Sequence, residues 1–103
     1  MQNILILGAG KSSIYLIEYL LHTAQSKDRM VTVADIRQEF AAEKIKGHPH
    51  GLAVSINIHD QAERVQLISG ADLVISMLPP PFHPIVAQDC LQYGVHFIAA
   101  SYE

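Results

Sequence analysis

An α/β fold, doubly wound around a parallel sheet, is the class predicted for this 103-residue chain, on three observations. Five short runs rich in Ile, Leu and Val alternate with four stretches of helical periodicity, the pattern of repeated strand-helix-strand units. The first run is near-continuously apolar rather than alternating, which suits a strand covered by helices on both faces. That run passes directly into Gly8-Ala9-Gly10-Lys11-Ser12-Ser13, a glycine-rich turn that opens a helical stretch. Right-handed crossovers and short connections then favour five or more strands in the order 3-2-1-4-5, with a switch point between strands 1 and 4.

In chain order, residues 3–7 form the first strand, and a helix follows from Lys11 to Ala24 with Ile14, Ile17, Leu20, Leu21 and Ala24 on its apolar stripe. The polar cluster Gln25 to Arg29 makes a surface turn, and the β-branched run Met30 to Ala34 is a second strand ending at Asp35. A second helix covers Gln38 to Lys46 with Phe40, Ala41 and Ile45 inward, and stops at Gly47 and the loop His48-Pro49-His50-Gly51. Leu52 to Ile58 is the third strand. Asp60 can cap the next helix, in which Ala62, Val65 and Ile68 share a face, and Gly70 suits the left-handed position after its end. Asp72 to Met77 is the fourth strand, stopped after Leu78 by Pro79, Pro80 and Pro81. Pro84 suits a first helical turn, Ile85, Val86, Ala87, Cys90 and Leu91 give that helix an apolar face until Gly94, and Val95 to Ala100 is the fifth strand.

Composition narrows the function classes. The length suits one domain over residues 1–103 and hardly admits a second, with no repeat and no interdomain linker. Half the residues are hydrophobic and 17% are charged, an ordinary globular balance. A net charge of −3 with scattered basic residues argues against a nucleic-acid surface. No segment approaches the roughly 18 to 20 apolar residues of a membrane span. The start, Met1-Gln2-Asn3, lacks the basic and apolar regions of a secretory signal. The single cysteine, Cys90, cannot form an internal disulfide, and a cytoplasmic location is expected.

In a Rossmann-type sheet the ligand lies across the carboxyl ends of the strands at the switch point. The stretches that fall there are Gly8–Ser13, Asp35–Arg37, His59-Asp60, Leu78–Phe82 and Ser101-Tyr102. Gly8 and Gly10 let the backbone turn tightly and approach a diphosphate, which the N–H groups and dipole of the following helix would hold, with Lys11, Ser12 and Ser13 in the same turn. The motif reads G-x-G-x-x-S, and Ser13 is small enough for close helix–strand packing where a third glycine or an alanine is usual. A glycine turn without a ligand is the plain alternative. Asp35, 25 residues beyond Gly10 at the end of the second strand, is placed to accept from the adenosine ribose hydroxyls. Its carboxylate would repel a 2′-phosphate, so NAD is expected ahead of NADP. Arg37 is a stacking partner for adenine, a contact for a 2′-phosphate, or a solvated charge.

The tail Gly10-Lys11-Ser12 imitates a nucleotide-triphosphatase loop, but Leu5 stands where that motif needs its first glycine. Asp60 is a candidate for the adenine amino group as well as a cap. The backbone of Leu78 and Pro79, stiffened by the prolines, would pass beside the nicotinamide ribose. His48-x-His50 lacks a third ligand, so no metal is expected, and His83 near the nicotinamide end is a lesser candidate for a proton carrier. Cys90, on an apolar helix face, reads as a buried inert thiol.

The sequence Ala71 to Pro80 with Phe82-His83, then Val86-Ala87, Cys90, Gly94-Val95-His96 and Ala100-Ser101-Tyr102, resembles the amino-terminal domain of saccharopine dehydrogenases and their relatives. Ile4–Ser13 and Val31–Asp35 extend the resemblance over essentially the whole chain. It implies hydride transfer at the C–N bond of a secondary amine joining two amino acids, through an imine that water hydrolyses. It also implies a small amino-acid-derived substrate, touched by Ser101, and a substrate-binding, dimerising domain absent here, so that this piece alone should not turn over. Where some members carry a neutral residue and an arginine suited to NADP, this chain has Asp35 and a displaced Arg37. The alternative from another class is a non-catalytic sensor of the potassium-transporter type, which the Pro79–Pro84 loop disfavours. Homospermidine- or opine-type dehydrogenases are the alternative among enzymes.

Overall fold

Beginning at Gln2, the chain runs β1 (Gln2–Leu7), α1 (Ile14–His22), β2 (Arg29–Asp35), α2 (Gln38–Ile45), β3 (Gly51–Ser55), α3 (Gln61–Ile68), β4 (Leu73–Ser76), a 3-10 turn over Pro80–Phe82, α4 (His83–Tyr93) and β5 (His96–Ala99). This is a computed structural model, and it describes residues 1–10 and 13–100. Every strand pair is parallel and the sheet order is β3-β2-β1-β4-β5, as the sequence predicts.

The apolar run of β1 is explained by where its side chains go. Ile4 and Ile6 join Ile17, Leu20 and Leu21 of α1 and Ala41 and Ile45 of α2 in one core layer. Leu5 and Leu7 point the other way, to Ile68 of α3 and Val86 and Cys90 of α4. A strand covered on both faces has no position for a polar residue, and each fully buried Leu, Ile or Val contributes about 1.5–3 kcal/mol. The outer strands are less covered: Ile98 on β5 is 50% exposed.

Several elements depart from the sequence reading. β3 ends at Ser55 rather than Ile58, because Asn57 takes the chain out of the ladder. Its side-chain oxygen accepts from the His59 N–H at 3.1 Å, and its carbonyl accepts from the Asp60 N–H at 2.9 Å. α1 ends at His22, and Thr23 donates its hydroxyl to the Tyr19 carbonyl at 3.1 Å, leaving buried Ala24 in the turn beyond. In α2, Phe40 faces outward at 42% exposure, its ring 5.3 Å from the Arg37 guanidinium carbon. Leu91 of α4 is 83% exposed and lies off the buried face that Val86 and Cys90 define. Gly94 takes the left-handed conformation that closes α4, at φ +68°, whereas Gly70 does not, since α3 closes on Ser69 in right-handed geometry.

In α3 the expected face of Ala62, Val65 and Ile68 is only partly inward. Ala62 is exposed, and Arg64 is buried in its place. Its Nε donates to Asp89 of α4 at 2.7 Å and a terminal nitrogen donates to the Ile58 carbonyl at 2.8 Å. No helix among the described residues is long and apolar enough to cross a membrane.

Candidate functional site

The two glycines of the first turn have different surroundings. Gly8 adopts φ +100°, donates its N–H to the Ala34 carbonyl at 2.8 Å, and lies so close to the end of β4 that a Cβ would meet the Met77 carbonyl carbon and oxygen at 3.3 Å. Gly8 is therefore needed by the fold. Gly10 has nothing within 4 Å of where a Cβ would stand, so its side faces open space. Ser13 is fully buried, and both its N–H, at 3.1 Å, and its hydroxyl, at 2.7 Å, are donated to the Gly10 carbonyl. It closes the turn from inside and gives both groups to the Gly10 carbonyl, the packing role that a small residue fills at this position. Lys11, Ser12 and Ser101 lie outside the described residues.

Asp35 joins the ends of β1 and β2. One carboxylate oxygen accepts from the Ala9 N–H at 2.8 Å and the other from the Arg37 N–H at 3.1 Å. About four acceptor positions exist on a carboxylate, so two remain after these bonds. Arg37 itself is exposed, spread over Phe40.

Asp35 lines a cavity of about 230 Å³, walled by Ala34–Ile36 at the end of β2, Ile56–His59 after β3, and Leu78 and Phe82 after β4. Most of these groups are apolar, and His59 meets Phe82 edge to face with centroids 5.5 Å apart. Such walls suit a flat heteroaromatic ring with a few polar edges. Asp60 is not part of them. Its side chain caps α3, accepting from Ala62 N–H at 2.9 Å and Glu63 N–H at 3.2 Å.

Ile56, Asn57 and Ile58, which the sequence reading keeps inside the third strand, follow its end instead and line the cavity, whereas His59, Leu78 and Phe82 belong to stretches that topology places there. What the sequence lacks is a signal separating cavity wall from connecting turn. Leu78 contributes to the wall, and its carbonyl accepts from His83 Nε2 at 3.0 Å when that nitrogen carries the proton. Pro79 is extended, at φ −55° and ψ 144°, and its carbonyl accepts from the Phe82 N–H at 3.0 Å. His48 and His50 are engaged with each other, the His50 N–H donating to His48 Nδ1 at 3.0 Å. No three metal-binding side chains converge among the described residues.

A parallel sheet of this order, turned by glycines at its switch point and carrying an acid at the end of β2, defines the class of Rossmann-type nucleotide-binding domains. Within that class, the chain belongs to the family described as the saccharopine dehydrogenase NADP binding domain, which matches it over residues 4–103. The saccharopine dehydrogenase [NADP(+), L-glutamate-forming] of Schizosaccharomyces pombe is 31% identical over 102 residues, covering 99% of this chain and 22% of that protein. The mitochondrial alpha-aminoadipic semialdehyde synthase of Bos taurus is 33% identical over 102 residues, covering 98% of this chain and 11% of that protein. Among solved structures, the apo saccharopine dehydrogenase (L-Glu forming) of Saccharomyces cerevisiae superimposes with a TM-score of 0.87 at 27% identity, over 100% of this chain and 22% of that one. The chain thus spans a minor share of the length of these relatives. Pyridine-nucleotide binding is what the family's description states, and it names NADP where Asp35 leads to an expectation of NAD. None of these relatives is a transporter regulator.

Proposed function

We propose that this domain holds a pyridine dinucleotide across the carboxyl ends of β1 to β4, as the cofactor-binding part of a longer oxidoreductase acting on the C–N bond of a secondary amine that joins two amino acids. The observation that carries the reading is the open side of Gly10 beside a turn fastened to Asp35. The diphosphate lies against Gly8 to Gly10, with Lys11 and Ser12 as further contacts by sequence. The ribose hydroxyls donate to the free acceptor positions of Asp35, and adenine enters the 230 Å³ cavity between Ile36, Ile58 and Phe82. Asp60 caps α3 through one carboxylate oxygen and does not line the cavity, so the adenine edge falls to the Asn57 turn instead. The backbone of Leu78 and Pro79 borders the nicotinamide ribose, and Ser101 follows as a contact to substrate or nicotinamide. When bound, the dinucleotide supplies the hydride acceptor or donor. The substrate-binding groups and the general acid/base belong to the remainder of the longer protein, so the domain alone binds and does not turn over.

Two readings of the cofactor compete on specific grounds. The family description favours NADP, and Arg37, exposed just after Asp35, is a cation suited to meet a 2′-phosphate. Asp35 favours NAD, because a carboxylate at the ribose repels that phosphate. Calorimetric titration of NAD, NADH, NADP and NADPH tests both. Binding of the pyridine dinucleotides is expected, with the order of affinities choosing between the readings, and Asp35→Ala is expected to weaken NAD more than NADP. Binding of ATP with no pyridine dinucleotide bound at millimolar concentration would sink the proposal.

A further inference from the structure

We infer that Arg64 and Asp89 form a positioning pair that sets the shape of the adenine cavity, an inference that rests on the dinucleotide reading above. Neither residue touches the cavity. Arg64 is 4% exposed and Asp89 is 5% exposed, and the ion pair joins the middle of α3 to α4. The guanidinium does a second thing: it spans from Asp89 to the Ile58 carbonyl, at 2.7 Å and 2.8 Å respectively. Ile58 lies in the 56–59 segment that forms one wall of the cavity. The same segment is held at Asn57, whose N–H donates to Glu63 of α3 at 3.2 Å. The turn is thus pinned from below by one planar, two-ended group whose far end is anchored on α4.

A pair this buried is a weak device for stability alone, because taking both charges out of water costs much of what their attraction returns. Its geometry is the informative part. A guanidinium offers donors in a fixed fork, so holding Asp89 through Nε fixes where the terminal N–H groups point, and one of them meets the Ile58 carbonyl. A lysine offers one compact charge and cannot serve both acceptors in that way. An apolar pair of similar volume would join the two helices equally well but would leave the Ile58 carbonyl without its donor.

The test uses the chain with Arg64→Met and Asp89→Leu combined, since removing one partner alone strands the other charge in the core. Titrations with ADP and with NADH or NADPH, whichever the unaltered chain binds more tightly, are compared with thermal midpoints. The double variant is expected to stay folded, its midpoint lowered by no more than the several degrees that an unpaired Ile58 carbonyl costs, while ADP and the dinucleotide both weaken by a similar factor of about ten, the scale of one charge-assisted hydrogen bond. Arg64→Lys, which keeps the charge, is expected to weaken both ligands in the same direction. Asp89→Asn keeps an oxygen acceptor for Nε, so it is expected to bind both ligands within about threefold of the unaltered chain, although the uncompensated guanidinium lowers its thermal midpoint. The inference is overturned if a folded double variant or Arg64→Lys binds ADP as tightly as the unaltered chain. It is overturned equally if the dinucleotide weakens while ADP does not, which would place the effect at the nicotinamide end. Failure of the unaltered chain to bind either ligand would instead remove the dinucleotide reading itself.

Discussion

Gly8 and Gly10 stand two residues apart and are glycine for different reasons, which separates stability from binding in a pair of variants. At Gly8 the backbone is held at φ +100° and the Met77 backbone waits 3.3 Å from any Cβ. Gly8→Ala is therefore expected to destabilise the chain by roughly 1–2 kcal/mol from backbone strain alone, with the contact adding to it, as read by urea unfolding. At Gly10 nothing lies within 4 Å. Gly10→Ala should leave stability within about 0.5 kcal/mol while its methyl enters the space assigned to the diphosphate and weakens dinucleotide binding about tenfold or more. Unchanged affinity in that variant would show that the open side is not where phosphate sits. Cys90 gives a pH-dependent prediction. Burial first, and then the neighbouring Asp89 charge, push its thiol from 9.0 up to about 11. The folded chain holds that proton more tightly than the unfolded one, so this contribution to stability is full below pH 9, and stability falls as pH rises from 9 toward 11. At neutral pH the thiol is expected to react with a disulfide reagent such as DTNB only upon unfolding, and a native-state rate matching that in urea would contradict its burial. At this scale the sequence was legible where a residue's reason is local. Gly8 announces a turn by itself, whereas the Ser13 hydroxyl, turned onto the Gly10 carbonyl at 2.7 Å, depends on a packing the motif does not encode.

α3 shows what separates a legible element from an illegible one. Its start was readable, because Asp60 followed by helical periodicity is a capping signal with a short-range cause. Asp60→Ala removes acceptors from two N–H groups and is expected to cost about 1 kcal/mol, measured as a shift in urea midpoint with an unchanged slope. A stability equal to the unaltered chain would mean that water replaces the carboxylate fully. The buried face of α3 was not readable in the same way. Arg64 is accepted into the interior only because Asp89, far along the chain on another helix, meets it at 2.7 Å. Periodicity counts apolar side chains and assigns an arginine to solvent, so it gives no weight to a partner supplied by tertiary structure. β1 is the opposite case. Its four consecutive buried residues, Ile4 to Leu7, divide between two helical layers, and an uninterrupted apolar run is the direct trace of such two-sided burial. β3 lies between these cases, since its apolar pattern continues to Ile58 while Asn57 bends the backbone away.

For the whole molecule, the sheet order brings together segments that the chain keeps far apart. Leu7 pairs with Ala34 on one side and Ser76 on the other, so the glycine turn, Asp35 and the loop after β4 all leave the sheet from adjacent strand ends. Topology was legible because alternating strands and helices with short right-handed connections allow few arrangements. The cavity wall was not, because its depth depends on how far each connecting turn bends over the sheet. A ligand lying across these ends ties β1, β2, β3 and β4 to one another and binds the folded chain alone, so it must raise stability by mass action. At a free concentration one hundred times its dissociation constant the gain is about 2.7 kcal/mol, which for a chain of this size raises the thermal midpoint by roughly 10 °C. Thermal unfolding with NADH, NADPH and ADP at matched saturation tests this, and hydrogen exchange locates it. Slower exchange is expected at Ala9 and Arg37, whose N–H groups both rest on Asp35, and across residues 56–59 of the cavity wall. On β5, at the sheet edge and outside the proposed footprint, protection should rise only with global stability. If protection were instead concentrated at β5 while the 56–59 segment stayed unchanged, the ligand would have to sit away from the switch point, and the assignment of adenine to this cavity would fall with it.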